Sequence, residues 1–397
     1  MVMVNFADSS QDTSAEAVAG LDSIYFGAAD SLASYYKEVT SGQAVFRALD
    51  PSRPVLGPVT LPMSAACDTS RIKKETIKAL SAQGVDTTKA DHISAVFPNG
   101  KAQCGFGGLG EVSGSFSWMP AGFSQTALVH EIGHNLGYSH HERVRCSPGS
   151  VTACQTDGTS GKTPMGSGGT TAGLTAPELL HQAWLDPRET VQATRSVHIT
   201  LRPLYPAGPG IRTVRIPVTG GKDELVVEYR QPTGALDTDK TVQGVLIHRV
   251  RDGRYGSSAL VHASPDDTGA LAPGTVFSST DDKLAIRVLS ATKTAAELEI
   301  KRDGDPAPPR PANPAPTPQA SATPDAGAED AAALGARQPY PGSPPARSGS
   351  PAAAKPEADL ADTGFHSGTR NAIVISGAAL IAAGAALTYT LGRRRRT

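Results

Sequence analysis

The sequence predicts an α/β (α+β) domain in which a twisted sheet covers a histidine-bearing helix, followed by a small all-β, sandwich-like domain, a spacer and one C-terminal transmembrane helix. Three observations predict it. Residues 1–190 alternate apolar strand-like runs with helical periodicity, residues 191–303 change to short runs that alternate with period two, and residues 304–359 are dominated by Pro, Ala, Gly and Ser. The last stretch has almost no large apolar side chain, so it cannot bury a core and reads as an extended, partly polyproline linker.

In the first domain the chain opens on an apolar strand. A helix near 13–38, a helix near 69–83, a strand around Ile93–Phe97 and a glycine-rich strand pair follow. Ser124 then reads as an N-cap, with Ala127, Leu128, Ile132 and Leu136 at the spacing of a buried helical stripe and Gly137 as its stop. Beyond it, Thr175-Ala-Pro-Glu178 is a capping box that opens a helix through Trp184. In the second domain, the runs at 197–201, 213–218, 225–229 and 244–248 are separated by turn clusters, which predicts a small antiparallel sandwich. His198, His248 and His262 read there as ordinary strand residues with no metal role.

The histidine-bearing helix carries the chemistry. Residues 130–140 fit H-E-x-x-H-x-x-G-x-x-H. Four residues apart on a helix, His130 and His134 project from one face and can close on one Zn²⁺. Glu131 points to the rim of such a site, where it can take a proton from water and pass it to a leaving amine. Gly137 accepts the left-handed conformation that ends a helix, so the chain turns back and offers His140 as third ligand. His141, its neighbour, is the competing candidate. Three neutral imidazoles leave a fourth position open for water, the mark of a catalytic rather than a structural zinc.

This motif resembles that of the metzincin superfamily, whose members carry a methionine in a tight turn beneath the histidines. Thr163-Pro164-Met165-Gly166 has the turn chemistry for it, and Met165 is the only Met after the helix. Two branches place a Tyr two residues later; here Ser167 stands there, so no protein oxyanion donor is assigned. The chain further resembles the gametolysin-like metallopeptidases over residues 1–303. The likeness runs through Val2-Met-Val-Asn-Phe-Ala-Asp8, Ser31-Leu-Ala-Ser-Tyr-Tyr36, Cys104-Gly-Phe-Gly-Gly-Leu-Gly110 with Ser117-Trp118, Ala176-Pro-Glu178 and Ala183-Trp-Leu185. The resemblance implies a metzincin-like catalytic domain over residues 1–190 with an active-site helix, one catalytic zinc, and endopeptidase activity on extracellular or cell-wall proteins. Calcium accompanies zinc in parts of that superfamily, but no loop here commits to it.

The C-terminus points outside the cell. Leu360-Ala361-Asp362-Thr363-Gly364 precedes an apolar run at about 373–391 and then four arginines, 393–396. The run is about long enough to span a bilayer and the arginines hold its end on the cytoplasmic side. The pentapeptide resembles a sortase sorting signal of Gram-positive bacteria, which implies cleavage between Thr363 and Gly364 and attachment to peptidoglycan. A plain tail anchor is the simpler alternative. An oxidising exterior favours disulfides over free thiols among Cys67, Cys104, Cys146 and Cys154; of three pairings, Cys146 with Cys154 closes a small loop and leaves Cys67 with Cys104. Export needs a leader, and none is visible at Met1, so the expectation is a start lying upstream with a signal peptide. The formal net charge of −1 and 19% charged residues give no electrostatic footprint for nucleic acid. The leading expectation is thus a surface-anchored zinc endopeptidase, with a catalytically silent adhesin and a zinc amidase acting on peptidoglycan as rivals.

Overall fold

Nearly continuous burial along three strands sets the first sheet. The computed structural model describes residues 1–263, 268–306 and 360–362. Strands β1 (Val2–Phe6), β2 (Leu56–Leu61), β3 (Ile93–Phe97), β4 (Leu109–Glu111) and β5 (Phe116–Pro120) stand in the order β4-β5-β3-β1-β2. β2, β1, β3 and β5 are parallel; β4 is antiparallel to β5. Parallel strands are covered on both faces, which is why β1 and β5 are buried at every residue. Side chains alternate between two cores. Val96 and Met119 join one cluster, while Ala95, Phe97, Phe116 and Trp118 join the other.

Helices fill both faces. Helix α1 (Ala15–Phe26), α2 (Leu32–Val39) and α5 (Gln125–Asn135) supply the first cluster, and α3 (Thr69–Ala82) contributes Ile72 and Leu80 to the second; α4 (Asn99–Ala102) is one turn. The single helix expected near 13–38 is two. Gly27 ends α1 with its N–H on the Ser23 carbonyl, Asp30 takes a positive φ of 48°, and Ser31 restarts the chain with a capping box to Ser34. The helix expected through Trp184 ends earlier. α6 runs Ala176–His181, and Ala183 turns left-handed at φ 56°.

The remaining strands are β6 (Glu142–Cys146), β7 (Cys154–Thr159), β8 (Thr190–Gln192), β9 (Val197–Leu201), β10 (Thr213–Val218), β11 (Asp223–Arg230), β12 (Gly244–Arg251), β13 (Ala259–Val261), β14 (Val276–Ser279), β15 (Leu284–Ala291) and β16 (Ala296–Arg302). They make a sheet β7-β6-β13-β12-β11-β10-β8 and a sheet β14-β15-β16-β9, and one hydrophobic cluster includes residues of both. The larger sheet is mixed rather than antiparallel, because β6 and β8 join it parallel to β13 and β10. β6 and β7 come from the stretch right after His140, so the chain leaving the histidine motif is built into the sheet of residues 190–261.

Cys67 pairs with Cys104 and Cys146 with Cys154, at sulfur separations of 2.05 and 1.97 Å. No helix among the described residues is long and apolar enough to cross a membrane; the run at about 373–391 lies outside them, as do Thr363 and Gly364. Leu360–Asp362 is described as a strand, β17.

A buried ion-pair hub joins the helical part to the larger sheet. Arg230 Nε and Nη2 donate to Asp237 at 2.6 and 2.5 Å, Nη1 donates to Glu228 at 3.1 Å, and the guanidinium also reaches the carbonyls of Gly173 and Leu174. Arg230 and Asp237 have no exposed surface. Removing one partner leaves the other as a buried charge, so Asp237→Ala should lower unfolding free energy by about 3–5 kcal/mol in chemical denaturation.

Candidate metal centre

Helix α5 begins and ends where its sequence says. The Ser124 hydroxyl accepts from the Ala127 N–H, and at the other end Gly137 stands at φ +92°. There the Gly137 N–H bonds the His134 carbonyl at 2.9 Å and the Tyr138 N–H bonds the Gly133 carbonyl at 3.1 Å. Those two bonds are the six-to-one and five-to-two closures of a Schellman motif, which needs a left-handed residue where Gly137 sits. The turn sends the chain back toward the helix.

Three imidazoles meet there. His130, His134 and His140 each offer a ring nitrogen, and these atoms lie within 4.8 Å of one another. Ring centroids are 4.7, 5.2 and 5.0 Å apart. His141 does not join them. It is 2% exposed and turns to His248, with ring centroids 5.3 Å apart, which resolves the choice between neighbours in favour of His140 for the cluster.

Tautomers are set by backbone carbonyls. His130 Nδ1 stands 2.7 Å from the Pro164 carbonyl and His134 Nδ1 stands 2.7 Å from the Tyr138 carbonyl. A carbonyl only accepts, so each Nδ1 carries the proton and each Nε2 presents a lone pair. Both Nε2 atoms are buried without a hydrogen-bond partner. Burial lowers His130 to about 4, and burial with the neighbouring His130 lowers His134 to about 3, so both rings are neutral near pH 7. Two orphaned, neutral, convergent nitrogens beside a third histidine fit a borderline metal ion.

Each part of the cluster is fixed from outside it. Met165 is 1% exposed, and a Cβ on Gly133 would stand 2.3 Å from its sulfur, so the methionine fills the space under the helix turn between His130 and His134. The turn Thr163–Gly166 also bears the Pro164 carbonyl that orients His130. His140 sits between two backbone clamps, Ser139 N–H to the Gly256 carbonyl and His141 N–H to the Met165 carbonyl, both 2.8 Å. Gly256 lies between β12 and β13, so the larger sheet helps to place the third histidine.

Glu131 has no exposed surface. Its carboxylate lies against the loop before β4: a Cβ on Gly108 would stand 2.7 Å from its Cγ and 3.0 Å from Oε1. A Cβ on Gly110 would stand 2.3 Å from the Glu131 carbonyl oxygen and 3.0 Å from the His134 Cβ. Only glycines let β4 come this near to the helix. Asn135 then ties the hairpin down, donating to the carbonyls of Glu111 and Phe116 at 3.0 Å each.

Two supports were not apparent from the motif. Glu178, read in the sequence only as a capping residue, also accepts the Thr163 hydroxyl at 2.8 Å, linking α6 to the methionine turn. Burial pushes its carboxyl up to about 7, against the bonds from Thr175 and Thr163. Glu228, by contrast, is held at about 2: burial opposes its charge, but His248 and Arg230 outweigh burial. The capping box at Thr175 was the one sequence signal for Glu178; nothing local marks Gly256.

No protein-family model matches the chain, and no curated protein matches it.

Gly110→Ala should lower stability by about 1–3 kcal/mol in urea denaturation, because the added methyl meets helix backbone that cannot yield. Glu178 predicts a pH dependence. Its folded carboxyl keeps its proton up to about 7 against an ordinary value of 4.5, so in that window the native state binds more protons than the unfolded state. The stability of the wild type relative to Glu178→Gln should therefore fall as pH rises through this window; a flat difference across a pH series of denaturation curves would contradict it.

Proposed function

We propose that the protein is a metzincin-like zinc endopeptidase, displayed on a bacterial cell surface. The observation that carries the reading is the convergence of His130, His134 and His140 within 4.8 Å, with Glu131 on the same helix turn. His130 and His134 are neutral and carbonyl-oriented, as zinc ligands are, and with His140 as a third ligand room would remain for water and substrate. Zinc, when bound, supplies Lewis acidity that lowers the pKa of water and polarises a carbonyl.

The chain's own residues do the rest. His130 and His134 are held in register by the Pro164 and Tyr138 carbonyls, so they need no reorganisation to act as ligands. Glu131 would accept a proton from the attacking water and deliver it to the departing amine. Met165 and Gly137 shape the floor and the turn rather than the chemistry. In this reading residues 1–190 form the catalytic domain and residues 191–303 a β-rich second domain that braces the third histidine. Leu360–Gly364, with the apolar run and arginines after it, serves as the wall-sorting signal, with sortase and peptidoglycan as partners. Two disulfides suit an exterior location.

The full chain, purified in detergent, should contain about one zinc per chain and hydrolyse an unfolded protein such as casein. A chelator should abolish hydrolysis and added zinc restore it. Glu131→Gln should keep its zinc and lose about 10²–10⁴-fold in kcat. Full activity in that variant sinks the mechanism, zinc binding without turnover of any protein favours the silent adhesin, and release of peptide stems from peptidoglycan without casein hydrolysis favours the amidase.

A further inference from the structure

The edge strand beside the metal cluster has a partner from the far end of the chain. β17 lies against β4 in antiparallel register, with Leu360 opposite Glu111, Ala361 opposite Gly110 and Asp362 opposite Leu109. It completes the first sheet in the order β17-β4-β5-β3-β1-β2. On the helix side of β4, Gly110 abuts the Glu131 carbonyl and the His134 Cβ, and Gly108, just before the strand, abuts the Glu131 carboxylate. Neighbouring strands lie about 4.8 Å apart, so β17 runs one strand spacing from the backbone that touches the catalytic glutamate.

An edge strand offers a row of N–H and C=O groups that pairs with an extended chain largely irrespective of its side chains. We infer that this edge is held by the chain's own Leu360–Asp362, the first three residues of the sorting pentapeptide, as a resident occupant that keeps other extended peptides off β4. One row of hydrogen-bonding groups holds one strand at a time. Residues 360–362 therefore exclude a second extended peptide from β4, and a covalent tether gives them an effective concentration that dilute free peptides do not reach. Glu131 and His134 have no exposed surface, although a group that activates water must meet it. Drawing the segment away, by a transpeptidase that acts on it or by a competing peptide, opens the edge. The docking surface stands on the strand pairing alone; competition with a substrate also rests on the peptidase reading.

Consecutive strand residues direct their N–H groups to opposite sides, so Leu360→Pro combined with Ala361→Pro removes a donor to β4 whichever parity the ladder has. The test uses the full chain in detergent carrying Glu131→Gln, so that nothing is turned over. Amide hydrogen exchange at Leu109–Glu111 should be slow in the parent and faster by about tenfold or more in the double-proline variant. A fluorescent peptide of residues 358–364 should bind the proline variant about tenfold or more tightly than the parent. Equal exchange, or equal peptide binding, overturns the docking surface. Protection that grows with protein concentration overturns the intramolecular occupant, since a second copy would then supply the strand. With Glu131 restored, the proline variant should cleave casein with a lower KM at similar kcat. Unchanged kinetics overturns the competition. Absence of cleavage by both proteins refutes the peptidase reading instead, and exchange and binding still decide the docking surface.

Discussion

The left-handed turn at Gly137 is the constraint on which the histidine cluster depends. A straight continuation of α5 would carry residue 140 on along the helix axis, away from His130 and His134. With φ at +92° and the two Schellman bonds closed, the chain reverses within three residues. The same turn exposes the Tyr138 carbonyl to His134 Nδ1, so one backbone feature both returns the third histidine and orients the second. An added Cβ at Gly137 would face that φ and also the His181 ring nitrogen at 2.7 Å, which leaves no side chain an inexpensive fit.

Everything around that turn serves to hold two unsatisfied nitrogens, His130 Nε2 and His134 Nε2, beside His140. Buried imidazoles with orphaned lone pairs are unfavourable unless a ligand or metal meets them, so the fold has to supply rigidity from elsewhere. It comes from three directions. Met165 fills the space beneath the helix, Asn135 fastens the β4–β5 hairpin, and the Gly256 carbonyl holds the strand entering His140. The Arg230–Asp237 pair and the Glu178–Thr163 bond then connect these supports to the larger sheet and to α6. The β-rich half is thus part of the centre's scaffold rather than an appendage beyond it.

Local chemistry was legible wherever a residue acts on its own backbone neighbourhood. Ser124, Gly137, the capping box at Thr175 and strand β3 all fall where pattern and capping rules put them. The helix near 13–38 was misread as one because an apolar period continues across residues 27–31, while the break comes from Gly27 and the Ser31 cap together. β6 and β7 escaped notice for another reason. Their burial is partial and β6 joins the sheet through β13, more than a hundred residues away, so no local alternation announces them.

The sequence by itself marked His130 and His134 on one helix face, Glu131 beside them and the turn at Gly137, because helix periodicity and the glycine requirement at positive φ act over a few residues. Only the tertiary structure decided that His140 rather than His141 faces the cluster. That choice depends on backbone clamps from Gly256 and Met165, which are remote in the chain and carry no side-chain signal. The tertiary structure also decided that Leu360–Asp362 lies beside β4, since strand pairing is made by backbone groups common to every residue and is fixed by which edges are open in space.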